Sequence, residues 1–479
     1  VTVIAFVVGI VVLVLGLAAS IALHELGHLL PAKKFGVRVG QYMIGFGPTL
    51  FSRRKGETQY GVKAIPLGGY ISMAGMYPPS PAEQQAVRAG AAPGAATAKA
   101  PDGATATPGA PATPGTTVQT TATDAASRPR ASGRFFAVMV QDARTANDET
   151  LIGADADRVF YRLPVWKRIV IMLGGPVMNL LLAIVLFTIL LSGIGLQTST
   201  TTIAALSECV PASSGTADCA ESTTPAATAG LQPGDEIVSI DGAEASTFAE
   251  ASALIQDAPG RQLSLVIRRD GAEQTLRVTP VGISSAVLDA SGNAVTNADG
   301  TAETTEVGFI GIQPTTAYVH QPIWAGPTTA FENVGAVAGV MWQLPVKVYD
   351  TAVSLFTGEE RDPNGPLSVV GASVIAGEAA ASEAPVLNRV SFIIGLLGSL
   401  NIALFVFNLI PLLPLDGGHV VVALWDGAKR AWAKVFRRPT PKPVDATKLV
   451  PLTFVVVIAL VAMGGVLILA DLLNPISLF

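Results

Sequence analysis

The chain has 479 residues, more than one soluble core usually holds, so several domains are expected. Half of the residues are hydrophobic, only 14% are charged and the mean hydropathy is +0.48. A soluble globular chain carries about 25% charged residues, so this composition argues against a purely soluble protein and for a membrane protein. A net charge of −5 gives no reason to expect a nucleic-acid partner.

The first apolar segment, residues 1–30, is long enough to span a bilayer, which needs about 20 residues. It lacks a basic leader and a small-residue cleavage site, so it reads as a retained helix, not a signal peptide. His24, Glu25 and His28 interrupt its end. Residues 31–76 follow, and 44–76 reads as short apolar strands punctuated by glycines, a hairpin that can dip into the bilayer. Residues 77–132 are rich in Ala, Pro, Thr and Gly and read as a disordered insert. Residues 133–168 end in mixed aromatic and basic residues (Phe160, Tyr161, Arg162, Trp166, Lys167) that suit a membrane interface. Further spans are expected over 169–196, 388–413 and 450–473, with a linker over 317–387 and a loop over 414–449. Lys and Arg crowd the loops after the first and third spans and are sparse between the second and third. By the positive-inside rule those two loops are cytoplasmic, and both termini and the middle domain lie outside. Cys209 and Cys219 fall in that outer stretch, where either a disulfide or two unpaired thiols is open.

Residues 200–316 read as a soluble domain. The run 229–242, Ala-Gly-Leu-Gln-Pro-Gly-Asp-Glu-Ile-Val-Ser-Ile-Asp-Gly, combines turns with one alternating strand. Two more strands, 262–267 and 274–278, flank the turn Asp270-Gly271. The pattern resembles a PDZ domain of the bacterial, protease-associated kind, which captures a peptide terminus or acts as a steric gate.

The chemistry starts at His24-Glu25-Leu26-Gly27-His28. On a helix, two His four apart share one face and can hold one Zn²⁺. Glu25 beside them can take the proton of an attacking water. This is the His-Glu-x-x-His pattern, and such groups in an apolar helix are costly to keep idle. A catalytic zinc needs a third protein ligand. Asp416, at the cytoplasmic end of the third span, lies on the same membrane side as the two His; His419 is the alternative as ligand or outer partner.

These residues resemble the site-2 proteases, the intramembrane metalloproteases that include the bacterial regulator-of-sigma proteases. The resemblance lies in His24 to His28, in Asn408 to Gly418 with its Asn-x-x-Pro and Leu-Asp-Gly elements, and in Gly174-Gly175-Pro176-Val177-Met178-Asn179. Ile65-Pro66-Leu67-Gly68-Gly69-Tyr70 resembles the family's membrane-reentrant hairpin, and Asn364 to Gly371 the stretch after its PDZ domain. The implied fold is a polytopic α-helical protein with four transmembrane helices, a membrane-associated β-hairpin and one extracytoplasmic α+β PDZ-like domain. The implied site has His24, His28 and Asp416 on Zn²⁺, Glu25 as catalytic base, and Asn408, Ile65, Gly68 and Gly69 at the substrate. For Asn408 a helix–helix hydrogen bond is equally open, and Asn179 is expected to pack span two. The resemblance implies a bacterial plasma-membrane enzyme of regulated intramembrane proteolysis and stress response. Its partners would be single-span proteins already trimmed outside, such as anti-sigma factors or signal-peptide remnants, with a peptide terminus at the PDZ-like domain and membrane lipid around the spans. A metal transporter, a PDZ scaffold or another zinc hydrolase are the competing classes.

Overall fold

The computed structural model describes residues 2–76, 78, 158–211, 213, 219–221, 223–287, 295, 303–358, 361–362, 365–439, 441, 443–444 and 446–476. The low-complexity insert, apart from Pro78, and the interfacial stretch from 133 to 157 lie outside the described residues. The chain divides into two compact units, Val1–Leu190 with Ile323–Phe479, and Leu191–Pro322.

The first unit opens with α1 (Thr2–Lys34). It is apolar on every side, which suits a helix surrounded by lipid. It ends on Lys33 and Lys34, cations that match the negative end of the helix dipole. Strands β1 (Val39–Lys55) and β2 (Thr58–Met73) follow as an antiparallel pair. Both strands bend, so residues 41–44 meet 69–72 on one side and 59–62 on the other. The expected hairpin is therefore a small sheet. Helix α2 (Val165–Thr188) starts behind Pro164 and runs on through a π-helical turn, Ile189–Ile194.

The second unit is α+β. Its strands are β3 (Leu196–Leu206), β4 (Val210–Pro211), β5 (Cys219–Glu221), β6 (Glu236–Ile240), β7 (Ala243–Glu244), β8 (Leu263–Arg269), β9 (Ala272–Val278), β10 (Val281–Ala286), β11 (Thr304–Phe309) and β12 (Ile312–Val319). The main sheet has the order β12-β3-β6-β8-β9, with β7 on β6. Two helices, α3 (Pro225–Thr228) and α4 (Phe248–Gln256), join it, the second opened by a Thr247/Glu250 capping box. Alternate residues of β6 and β8 (Ile237, Leu263, Leu265, Ile267) form the core. Asp270-Gly271 makes the β8–β9 turn with positive φ at both positions. Cys209 and Cys219 form a disulfide.

The first unit resumes with α5 (Ala325–Thr357), α6 (Val369–Ala381), α7 (Val386–Asn408), α8 (Asp416–Val435) and α9 (Val450–Leu473). The helices α1, α2 with its π turn, α7 and α9 are long and apolar enough to cross a membrane. Two stretches differ from expectation. The linker expected over 317–387 contains α5 and α6. Glu332, Asn333, Gln343, Lys347 and Asp350 keep α5 too polar to read as a span, yet it packs on α2, α7 and α9. The loop expected over 414–449 contains α8. Asp416 therefore stands in the first turn of α8 and not at the end of α7, because Pro411 and Pro414 separate the two helices.

Tight contacts hold the site-bearing helices. A Cβ on Gly174 would lie 2.0 Å from the Gly27 carbonyl oxygen, so α1 and α2 touch backbone to backbone. The buried Asn401 of α7 donates to Ser20 of α1 at 2.9 Å. Arg168 of α2 pairs with Asp426 of α8 at 3.1 Å, both buried. Leu29, Val39, Met73, Phe160 and Ile171 form one cluster beneath the sheet.

Candidate metal centre

His24 and His28 stand on consecutive turns of α1, so both rings leave one face. Asp416 reaches them from α8. Its Oδ2 lies 3.3 Å from Nε2 of each His, and the two Nε2 atoms are 3.2 Å apart. Nitrogen and oxygen ligands at ~2.0–2.1 Å on tetrahedral zinc are separated by about 3.3 Å. The three atoms thus match one face of that tetrahedron and leave the fourth corner open.

The proton inventory points the same way. His28 Nδ1 is 2.8 Å from the Ile171 carbonyl. A carbonyl only accepts, so Nδ1 carries the hydrogen and Nε2 offers a lone pair. His24 Nδ1 is 3.1 Å from the Asn179 side-chain amide, and Asn179 is only 1% exposed. Asn179 Oδ1 has no other partner among the described residues. The oxygen and nitrogen of an amide are assigned from their hydrogen bonds. Turned so that the oxygen faces the ring, the amide accepts from Nδ1 and leaves His24 Nε2 bare as well. Asp416 Oδ2 is also buried without a donor. Three lone-pair atoms facing one another repel unless a cation sits between them. This donor set of two imidazoles and a carboxylate fits zinc.

Glu25 follows His24 and is 8% exposed. Its side chain lies against the backbone of β2, since a Cβ on Gly69 would be 2.9 Å from Glu25 Cγ. Gly175 of α2 closes the other side, because a Cβ there would fall 2.2 Å from His28 Nε2. Gly68 has a φ of +139° and stacks beneath Phe46, while Ile65 is exposed at the bend of β2. Asn408 closes α7 and donates to Leu404 of its own helix at 3.0 Å. His419, one turn beyond Asp416, lines a small cavity with Arg168, Tyr161 and Asp426 and is outside the His-His-Asp cluster. Sequence reasoning gave Asn179 only a packing role, although the Gly-Gly-Pro run before it marked the segment. The Ile171 carbonyl has no sequence signature at all, because every residue carries one.

Comparison with known proteins agrees with this geometry. The model of peptidase family M50 matches residues 12–439. The chain is 31% identical over 488 residues to the zinc metalloprotease Rip1 of Mycobacterium tuberculosis, covering 99% of each chain. It is 32% identical over 495 residues to Rip1 of Mycolicibacterium smegmatis, again over 99% of each. The chain belongs to peptidase family M50. With its four apolar helices and its His-His-Asp cluster, it is an intramembrane zinc metalloprotease of a bacterial membrane.

Proposed function

We propose that this protease cuts single-span membrane proteins, such as anti-sigma factors or signal-peptide remnants, after a first cut outside the membrane. His24, His28 and Asp416 hold the metal, and Glu25 is the general base. The observation that carries this is the triangle of 3.2, 3.3 and 3.3 Å among three lone-pair atoms, with Glu25 beside it on α1. Bound there, zinc supplies Lewis-acid polarisation of the scissile carbonyl and acidifies the attacking water.

The chain's own residues do the rest. Glu25 accepts the water's proton and passes it to the leaving amine. Asn179 and the Ile171 carbonyl fix the two imidazoles through their Nδ1 hydrogens, so that both Nε2 atoms stay free. A substrate helix satisfies its own backbone and must unwind before it can be cut. The exposed bend of β2, from Ile65 to Gly68 and Gly69, offers backbone groups to the unwound segment as an added strand. Gly69 against Glu25 brings that segment to the base. Asn408 contacts the substrate backbone after turning from its helix carbonyl. The second unit reads as a PDZ-like domain on the outer side, with both chain termini, and admits a substrate by its new terminus or its reduced size. Its sheet order and the Gly-Asp turn before β6 support that reading.

The test is a defined single-span substrate incubated in detergent with wild type and Glu25→Gln, with a chelator control and zinc analysis of both proteins. The expected result is full zinc content and no cleavage in the variant. Equal cleavage by both proteins would remove Glu25 as base. A variant that has lost its zinc would move Glu25 from base to metal support.

A further inference from the structure

The sheet made by β1 and β2 carries a second surface, where residues 41–44 meet 59–62 and not 69–72. Residues paired across strands lie on the same face. Phe51 pairs with Val62, and Val62 also pairs with Ile44, which makes an apolar row across the sheet. One row further, Arg53 pairs with Tyr60, and Tyr60 with Tyr42. The next row holds Lys55 beside Thr58. The rows are about 7 Å apart, two residues of strand each. All of these but the buried Thr58, together with Arg54, line an open cavity of ≈ 500 Å³.

The surface thus grades from apolar to aromatic to cationic over about 13 Å. Phe51 is 65% exposed at the apolar end, next to the exposed Leu50. Arg53, Arg54 and Lys55 have no ion-pair partner among the described residues. The nearest acid in sequence, Glu57, is engaged by Arg158 at 2.8 Å. The height of the gradient is set by α1. Lys33, where the apolar helix ends, donates to Tyr60 in the middle row at 2.6 Å. The cationic row therefore lies where hydrocarbon gives way to headgroups, with the apolar row facing inward from it.

We propose that this groove binds an anionic phospholipid, with the phosphate on Arg53, Arg54 and Lys55 and the acyl chains along Phe51, Val62 and Ile44. A peptide strand would use the apolar row but has no need of three adjacent free cations. A soluble phosphate compound would use the cations but leave the apolar row wet. The join of the two chemistries at membrane-surface height selects a lipid.

The test uses the delipidated full-length protein in detergent, titrated in native mass spectrometry with dioleoyl-phosphatidylglycerol, dioleoyl-phosphatidylcholine or glycerophosphate. The expected result is one tight site with about a tenfold preference or more for phosphatidylglycerol, since the surface cations favour an anionic headgroup. Arg53→Gln/Arg54→Gln/Lys55→Gln loses that preference, and Phe51→Ser weakens both lipids. Arg437→Gln/Arg438→Gln, beyond the end of α8, keeps the wild-type preference. Zinc content and the elution profile certify that each variant is folded. Equal binding of the two lipids by wild type overturns the proposal. So does an unchanged preference in the triple variant, or glycerophosphate binding as tightly as phosphatidylglycerol.

Discussion

Asn179→Ala is the sharpest probe of the metal centre. The substitution removes the acceptor of the His24 Nδ1 hydrogen, 3.1 Å away in a site where Asn179 is 1% exposed. Water reaches so closed a position poorly, so the Nδ1 donor is left unsatisfied at a cost of about 1–3 kcal/mol. His24 can escape that cost by moving its hydrogen to Nε2, which then faces His28 and Asp416 and blocks the metal. Zinc affinity should therefore fall about 10–100-fold, the range found for second partners of metal-bound His. That corresponds to about 1.4–2.7 kcal/mol, in line with the cost of the orphaned donor. Asn179→Asp restores an acceptor and should hold affinity near wild type or above it. The assay is competition for zinc between the purified protein and a chelator of known affinity, at constant pH. An Asn179→Ala protein that folds and binds zinc within about twofold of wild type would refute the role given to Asn179.

Gly175→Ala places a methyl group 2.2 Å from His28 Nε2 and must push that ring aside, so cleavage should drop about 100-fold and zinc content should fall with it. Arg168→Met leaves the buried Asp426 with Lys429 at 3.3 Å and the Val444 amide at 2.8 Å, and should destabilise the α2–α8 contact by about 1–3 kcal/mol in denaturant titration. Arg168→Met/Asp426→Leu should recover only part of that loss, because the Val444 amide and Lys429 then lack their acceptor. In the second unit, the hydrogen bonds from Arg269 hold the Asp235 carboxyl below its ordinary range, helped by the Gln232 amide. A depressed folded value means that the stabilisation is complete above about pH 4 and is lost as pH falls through the folded value. The melting-temperature gap between wild type and Asp235→Asn should accordingly be widest near neutrality and shrink in acid.

Much of the centre was legible because its parts obey local rules. His24 and His28 lie one turn apart on an unmistakable apolar helix, and Asp416 sits in a short run of prolines and glycines that no regular span would tolerate. The sheet of the second unit was legible from the strands read at 262–267 and 274–278 around Asp270-Gly271. What escaped depends on partners distant in sequence. Helix α5 is too polar in Lys347 and Asp350 to announce itself, and its apolar side has meaning only against α2 and α7. The double pairing of residues 41–44 was hidden because a bend in each strand, not a period, brings 59–62 and 69–72 together. Asn179 looked like one polar residue in an apolar helix, and its use appears only once α1 lies alongside at Gly27 and Gly174.

The delivery of Asp416 by α8, and not by the end of α7, bears on how the metal centre is assembled. The first two His of the cluster lie four residues apart on α1, while Asp416 is separated from them by most of the chain. Until α7 has been inserted and α8 has been pinned to α2 by Arg168 and Asp426, the three-ligand site does not exist. The complete cluster of two His and one Asp is thus a property of the assembled helices and not of α1 alone.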